Sequence, residues 1–122
     1  MKRAILIIDH GSRRAEANAL LQDVADQVRR RAPEAIVEVA HLEIAEPDIA
    51  AGIDACVKQG ATQIVAHPYF LGPGRHTTED IPAQVEHAGE KYPNVHIRIS
   101  EALGGHPGLI DAILDRVSDA DH

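Results

Sequence analysis

The 122-residue chain has room for one hydrophobic core, so a single domain over residues 1–122 is predicted. Its 12 lysine and arginine residues against 19 aspartate and glutamate residues give a formal net charge of −7, which disfavours nucleic acid as a partner because duplex phosphates need a basic face. Only 2% of the residues are aromatic and there is one cysteine, which argues against base-stacking platforms and excludes an intrachain disulfide.

The first predicted element is a strand that is buried on both faces. Residues 4–8 form a continuous apolar run, and the run stops at Asp9-His10-Gly11-Ser12. A helix is predicted over residues 13–31, because apolar residues recur three or four positions apart and three arginines lie at the end that favours cations. The apolar positions of this helix are Ala17, Leu20, Leu21, Val24 and Val28.

Two further strands and two further helices are predicted between residues 36 and 92. Strands are expected over residues 36–42 and 63–67, and between them lies a helix that Pro47-Asp48 opens and Gly60 closes. Residues 68–76 contain two prolines and two glycines, so they form a loop. A helix capped by Thr77 or Thr78 follows, and it ends near Tyr92.

The last predicted pair is a strand over residues 95–99 and a helix that starts at Pro107. The apolar stripe of this helix comprises Leu109, Ile110, Ile113, Leu114 and Val117. Strands that alternate with helices predict an α/β domain, doubly wound, with a four-stranded parallel sheet flanked by helices. Ligands of such sheets bind beyond the carboxyl ends of the strands, so residues 9–14, 42–47, 67–78 and 100–107 are the segments to examine.

Eight histidines in an acidic chain direct attention to imidazole as a base or metal ligand. His10 follows strand 1 and is the first candidate, with a hydrogen-bonded turn residue as the alternative. His76 and Arg75 follow a Gly-Pro-Gly turn at a helix entrance that suits an anionic group or metal; the alternative is a loop that merely needs this turn chemistry. Glu43, just after strand 2, is a candidate base or ligand, or else a solvated carboxylate.

Imidazoles with a carboxylate suit a divalent ion such as Co, Ni, Fe or Zn. His41 and His67 are assigned to structural roles, Asp9 and Ser12 to the turn and helix cap, and Cys56 to the core. No GxGxxG, GxxxxGK[ST] or GxSxG motif is present, so no nucleotide or organic cofactor is expected. The first apolar run is too short for a signal peptide or membrane span, so a soluble, cytoplasmic protein without a membrane partner is expected.

Four ordered segments of the chain then carry a resemblance to a known family. They are Leu6-Ile-Ile-Asp-His-Gly-Ser-Arg13, His41-Leu-Glu-Ile-Ala-Glu-Pro47, Pro68-Tyr-Phe-Leu-Gly-Pro-Gly-Arg-His-Thr-Thr-Glu-Asp-Ile-Pro82 and Leu103-Gly-Gly-His-Pro107. Together they resemble the small sirohydrochlorin chelatases, the short cobalt, iron or nickel chelatases that work without ATP. The resemblance implies a chelatase-like fold of flavodoxin-like topology.

The resemblance also implies a lyase that inserts Co²⁺, Fe²⁺ or Ni²⁺, as its metal substrate, into sirohydrochlorin or a related tetrapyrrole, in the cobalamin or sirohaem pathway. It implies that His10 and His76 bind the metal and that Glu43 is the acidic residue of the site, with an imidazole or Glu43 accepting the pyrrole protons. Macrocycle contacts are expected from Gly11, Ser12, Arg13, Arg14, Leu71, Gly72, Gly74 and Arg75.

Larger relatives of this kind contain two copies of the unit facing each other across a cleft, so a single unit implies a symmetric homodimer. The main alternative to an enzyme is a carrier of the same fold that binds the tetrapyrrole or the metal without turnover. A signalling or nucleotide-binding domain is disfavoured, because the chain has no glycine-rich phosphate loop and no acidic phosphorylation cluster with its lysine.

Overall fold

Strand β1 (Arg3–Asp9) is central to the fold, in a computed structural model that describes residues 2–121. The other elements, in chain order, are α1 (Ala15–Arg31), β2 (Ile36–His41), α2 (Ile49–Lys58), β3 (Gln63–Pro68), a π-helical turn (His76–Asp80), α3 (Ile81–Gly89), β4 (His96–Ile99) and α4 (Pro107–Ala120). No helix among these residues is long and apolar enough to cross a membrane.

The four strands form one parallel sheet in the order β2-β1-β3-β4. This is the beginning of the flavodoxin-like strand order, and it confirms the predicted α/β fold. The chain moves from β1 outward to β2 and then crosses back to β3, so the direction of winding reverses between β1 and β3. The carboxyl ends of these two strands therefore flank the position at which ligands of such sheets bind.

Both faces of β1 are buried, as its continuous apolar run predicts. Leu6 and Ile8 pack into the larger cluster, which α2 and α3 cover, and Ile7 packs against α1 in the smaller one. Cys56 of α2 is completely buried, which confirms its predicted core position. Burial raises the pKa of the Cys56 thiol to about 12, so this thiol stays protonated at neutral pH.

Two predicted apolar stripes are not buried as expected. Ala17 and Leu20 of α1 are exposed, and Leu21 and Ala25 are the residues of this helix that enter the core. The first turns of α1 begin at the carboxyl edge of the sheet, where the strands end. In α4 no residue is buried, and Ile110, Ile113, Leu114 and Val117 are between 48% and 63% exposed.

The helix after β3 starts earlier and ends earlier than predicted. Arg75 already has helical dihedral angles, and the π-helical turn begins at His76. The hydroxyls of Thr77 and Thr78 both donate to the carbonyl of Gly74, so they tie the turn to the preceding loop and do not cap a helix that starts after them. At its other end α3 stops at Gly89, before the predicted end near Tyr92.

Candidate functional site

Three side chains from three different loops meet at the carboxyl edge of the sheet. One ligand atom from each of His10, Glu43 and His76 lies within 4.8 Å of the other two. His10 Nε2 is 2.8 Å from Glu43 Oε1, and the rings of His10 and His76 are 4.8 Å apart between centroids. These are the three residues that the sequence nominates for metal and proton chemistry, and the fold brings them together.

All three side chains are accessible to an incoming ion. The side chains of His10, Glu43 and His76 are 40%, 55% and 42% exposed. Two imidazoles and one carboxylate leave the remaining coordination positions of a divalent ion open to another ligand, which is the arrangement of catalytic rather than structural metal sites.

Both ring nitrogens of His10 face oxygen acceptors. Nδ1 lies 3.1 Å from the carbonyl of Gly11, and Nε2 faces Glu43. A tautomer with its proton on Nδ1 donates to the Gly11 carbonyl and leaves Nε2, next to Glu43, free to bind a cation.

Asp80 orients the second imidazole. Its Oδ2 lies 2.8 Å from Nδ1 of His76, four residues earlier in the π-helical turn. A carboxylate that accepts the Nδ1 proton leaves Nε2 free to bind a cation, the usual arrangement behind a metal-binding histidine. Asp80 is not among the site residues predicted from the sequence; its spacing of four from His76 is the signal that indicates this contact.

The loops after β1 and β2 are joined beyond the ends of the strands. The backbone nitrogen of Glu43 donates to the carbonyl of His10 at 3.1 Å, which continues the ladder. Gly11 has a positive φ of 96°, and a Cβ atom placed there would lie 2.0 Å from the carbonyl oxygen of Glu43. Only glycine permits this close approach, so Gly11 fixes the contact between the two loops.

Asp9 does not serve the turn or the helix cap as predicted. Its Oδ1 lies 2.5 Å from Nδ1 of His41, which is 3% exposed at the end of β2. The reason is the register of the sheet, in which Asp9 pairs with His41 across the β1–β2 ladder. Ser12 does act near the helix start, because its hydroxyl accepts from the backbone nitrogen of Arg14 at 3.0 Å.

A cavity of about 430 Å³ lies beside the site, at the carboxyl ends of β3 and β4. Its lining comes from the loops after these two strands and from the π-helical turn, and comprises Pro68, Leu71, Gly72, Pro73, Thr77, Thr78, Ser100, Glu101, Ala102 and Gly104. A Cβ atom at Gly104 would lie 1.8 Å from the carbonyl oxygen of Leu71, so this glycine lets the two loops touch. Two residues predicted to contact substrate, Leu71 and Gly72, line this cavity.

The three predicted cationic contacts are exposed and do not line the cavity: Arg13 and Arg14 lie in the loop after β1, and Arg75 lies in the segment after β3. Arg13, Arg14 and Arg75 are all exposed. The guanidinium groups of Arg14 and Arg75 are 3.8 and 3.7 Å from Glu16 and Glu79, respectively. Pairs this exposed are weak, so these guanidinium groups remain available to a polycarboxylate ligand. The backbone of Gly74 is engaged with Thr77 and Thr78.

His67 lies apart from the three-residue cluster. It is half-buried in β3, and its Nδ1 is 2.8 Å from the hydroxyl of Ser100. Burial lowers the pKa of His67, because desolvation disfavours the charged imidazolium. A neutral His67 joins the ends of β3 and β4 at the wall of the cavity, in keeping with the structural role predicted for it.

Comparisons with known proteins match nearly the whole chain. The CbiX family model matches residues 4–120. The chain is 41% identical over 113 residues to the chloroplastic sirohydrochlorin ferrochelatase of Arabidopsis thaliana, covering 93% of this chain and 50% of that protein. A cobalt complex of the sirohydrochlorin chelatase SirB from Bacillus subtilis subspecies spizizenii superposes with a TM-score of 0.91 at 34% identity, covering 98% of this chain and 51% of SirB.

The structure of a CbiX protein from Marinobacter aquaeolei VT8 aligns with this chain over nearly its whole length. The TM-score is 0.82 at 30% identity, and the alignment covers 97% of this chain and 96% of that one. By contrast, this chain spans about half the length of the first curated relatives that it matches.

Proposed function

The chain belongs to the CbiX family, and from this premise we propose that it inserts a divalent metal ion into sirohydrochlorin, as an ATP-independent chelatase of tetrapyrrole biosynthesis. The observation that carries the proposal is the cluster of His10, Glu43 and His76, whose ligand atoms lie within 4.8 Å of one another at the switch point of the sheet. Co²⁺ and Fe²⁺ are the metal substrates that the relatives' names support.

The reaction exchanges one divalent ion for two protons on the pyrrole nitrogens of the macrocycle. His10 and His76 hold the incoming ion through Nε2, and Glu43 supplies a carboxylate oxygen. When the ion passes to the four ring nitrogens, the vacated His10 and Glu43 accept the two protons that the macrocycle releases. The hydrogen bond from His10 to Gly11 and that from His76 to Asp80 keep both rings oriented throughout.

The macrocycle binds beside this cluster, against the cavity at the ends of β3 and β4. The cavity volume of about 430 Å³ lies within the range of small-molecule sites. Thr77 directly follows His76 and lines the cavity, so the cavity and the metal ligands are adjacent. Arg13, Arg14 and Arg75 bind the substrate carboxylates, which offsets the repulsion from a chain of net charge −7.

A homodimer completes the cleft. Two apolar surfaces lie open on the same chain: the α4 stripe of Ile110, Ile113, Leu114 and Val117, and a groove between α3 and β4. The apolar lining of that groove comprises Pro82, Val85, Gly89, Val95, Ile97 and Ile99. An amphipathic helix of 14 residues is not stable without a partner for its apolar face, so α4 of one copy packs into the groove of the other.

The test is metal insertion by the purified chain, followed by the absorbance of sirohydrochlorin with Co²⁺, Fe²⁺ or Ni²⁺ under anaerobic conditions. The wild-type chain should accelerate insertion above the rate without protein. His10→Ala and His76→Ala should abolish the acceleration, and His87→Ala should not, since this histidine is 87% exposed on α3 and outside the cluster.

Two outcomes would contradict the proposal. Stoichiometric binding of metal or macrocycle without acceleration would identify a carrier. Insertion at the wild-type rate by both folded site variants would show that the cluster is not the reaction centre. The relative rates with the three ions would identify the preferred metal, since ligand identity alone follows the general affinity order of divalent ions.

A further inference from the structure

A contacting pair, Asp9 and His41, lies directly behind the cluster of His10, Glu43 and His76 and takes no part in the chemistry proposed above. His41 is the only polar or charged residue that is buried among residues 2–121, and its ring contacts the carboxylate of Asp9. Asp9 immediately precedes His10, and His41 lies two residues before Glu43. We infer that Asp9 and His41 are positioning residues that fix His10 and Glu43 relative to each other, an inference that rests on the proposed function.

His41 anchors the loop that carries Glu43 in two ways. Its backbone nitrogen donates to the carbonyl of Pro47 at 2.8 Å, which closes the loop on itself. Its side chain binds Asp9, which holds the same point of the loop against the end of β1. One residue therefore fixes both the width of the loop and its distance from His10.

The loop needs such an anchor because its backbone is strained next to Glu43. Ile44 has a φ of 76°, in the left-handed region that a branched side chain rarely adopts. Its side chain is 57% exposed, so packing does little to hold this conformation. The surroundings must hold it instead. A hydrogen bond from the backbone nitrogen of Ala45 to the carbonyl of Glu43, at 2.9 Å, closes the turn around Ile44. The contacts of His41, the hydrogen bond from Glu43 to His10 and the approach of Gly11 to the Glu43 carbonyl hold this turn against the end of β1.

The side chains of the site are too exposed to be fixed by their own packing. Glu43 is 55% exposed and His10 is 40% exposed, yet their polar atoms lie 2.8 Å apart. Exposed ligands hold such a distance only when their backbones are kept in place from behind. The buried ring of His41 and the side chain of Asp9, which is 21% exposed, lie at the position required for this support.

The experiment is a titration of the metal-free full chain with Co²⁺ alone, followed by the visible absorption of the bound ion. Asp9→Ala and His41→Ala should each weaken Co²⁺ binding about 10–100-fold, the usual effect of removing a supporting contact. Asp9→Asn should lose less Co²⁺ affinity than Asp9→Ala, because its amide oxygen can still accept a hydrogen bond from His41 Nδ1. In metal insertion, kcat should fall while the KM for sirohydrochlorin stays near that of the wild type.

Ile64→Ala is the matched control. Ile64 is 1% exposed and lies near the amino end of β3. The variant therefore loses a buried side chain at the end of the sheet opposite to the candidate site. It should lower stability but keep wild-type Co²⁺ affinity. The inference is overturned if Asp9→Ala and His41→Ala bind Co²⁺ with wild-type affinity. It is also overturned if Ile64→Ala loses as much Co²⁺ affinity as they do, because the pair would then contribute to stability alone.

Two further cases need separate treatment: an alanine variant that does not fold, and a wild-type chain that binds Co²⁺ without inserting it. If circular dichroism shows that an alanine variant does not fold, Asp9→Leu or His41→Leu replaces it, because a leucine side chain cannot make the hydrogen bond between the two residues. Wild-type Co²⁺ affinity in the folded leucine variant would equally refute the positioning role. If the wild-type chain binds Co²⁺ but does not insert it, the proposed function fails. The comparison of Co²⁺ affinities among the variants still decides the role of the pair.

Discussion

At the scale of single residues, the orientation of His76 depends on one carboxylate. Asp80 accepts from Nδ1 of His76 at 2.8 Å, which selects the tautomer whose Nε2 can bind a cation. Asp80→Ala should therefore weaken Co²⁺ binding about 10–100-fold, measured by titration of the metal-free chain. Asp80→Asn should retain most of the affinity, because its amide oxygen is also an acceptor. Equal affinities in the wild-type chain and Asp80→Ala would refute this role.

Glu90→Ala is the control for Asp80→Ala. Glu90 is an exposed acid that directly follows α3, and its nearest ionic partner is His87 at 3.9 Å. Removal of this carboxylate changes the net charge by the same amount without touching the cluster. A loss of Co²⁺ affinity in Glu90→Ala would mean that net charge, and not the hydrogen bond to His76, explains the Asp80 result.

In the proposed function, Arg75 contributes to macrocycle binding and not to the chemical step. Its side chain is 81% exposed, and its contact with Glu79 at 3.7 Å is easily exchanged for a substrate carboxylate. Arg75→Ala should raise the KM for sirohydrochlorin more than it lowers kcat, since a carboxylate is bound equally in the ground and transition states. Arg30→Ala, at the far end of α1, should leave both constants unchanged. Steady-state kinetics of metal insertion measure both constants. An unchanged KM in Arg75→Ala would show that Arg75 does not bind the macrocycle.

The sequence predicts the three residues of the candidate metal site but not the residues that support them. His10, Glu43 and His76 each follow a strand, and the rule for parallel sheets brings all three to one edge. Asp9 and His41 meet because of the β1–β2 register, which pattern alone does not specify when both strands are buried on both faces. Asp80 is the exception, because its spacing of four from His76 is visible in the chain.

At the scale of the elements, a single hydrogen bond ties the segment after α3 to α2. The hydroxyl of Tyr92 donates to Oδ1 of Asp54 at 2.5 Å. This bond, followed by the contact with Lys58, lowers the pKa of Asp54, and the same bond raises the pKa of Tyr92. The sequence pattern does not indicate this polar contact, because it joins residues 38 positions apart.

The lowered pKa of Asp54 gives the sign of a stability effect. A carboxylate whose pKa is lower in the folded state stabilises the fold above its unfolded pKa, and that contribution is lost as the pH falls through the folded pKa. Tyr92→Phe should therefore lower the free energy of unfolding at neutral pH, and the difference from wild type should narrow below about pH 4. Urea unfolding at several pH values measures this, with Tyr69→Phe as the control. A difference independent of pH would contradict the assignment to Asp54.

The element boundaries also show where local rules were overridden. Thr77 and Thr78 have the side chains of helix caps, but Gly74 takes their hydroxyls and the helical turn starts at His76. Asp48, in contrast, caps α2 as its position predicts, since its carboxylate accepts from the backbone nitrogen of Ala51 at 2.9 Å. The difference is that the Gly-Pro-Gly loop offers its own backbone groups as partners, whereas the approach to α2 does not.

At the scale of the whole molecule, α4 forms as the pattern predicts, but the isolated chain does not bury its apolar stripe. Its stripe has the period of a core helix, yet every residue of the stripe except the half-buried Leu109 is exposed in the isolated chain. Periodicity predicts that a face is buried but does not say whether the same chain or another copy buries it. In the proposed dimer, the open groove between α3 and β4 is the surface that receives this stripe. The curated relatives are about twice as long as this chain.

The proposed dimer separates metal binding from macrocycle binding. His10, Glu43 and His76 come from one chain, so a monomer keeps a complete set of metal ligands, while the cleft for the macrocycle needs the second copy. Leu114→Asp, which puts a charge on the α4 stripe, should therefore give a monomer by analytical ultracentrifugation that binds Co²⁺ with wild-type affinity but has a higher KM for sirohydrochlorin. Ala112→Asp puts the same charge on the opposite, exposed face of α4 and should remain a dimer with wild-type kinetics. A wild-type chain that is already monomeric and active, or a Leu114→Asp variant that loses Co²⁺ binding, would show that the two functions are not divided in this way.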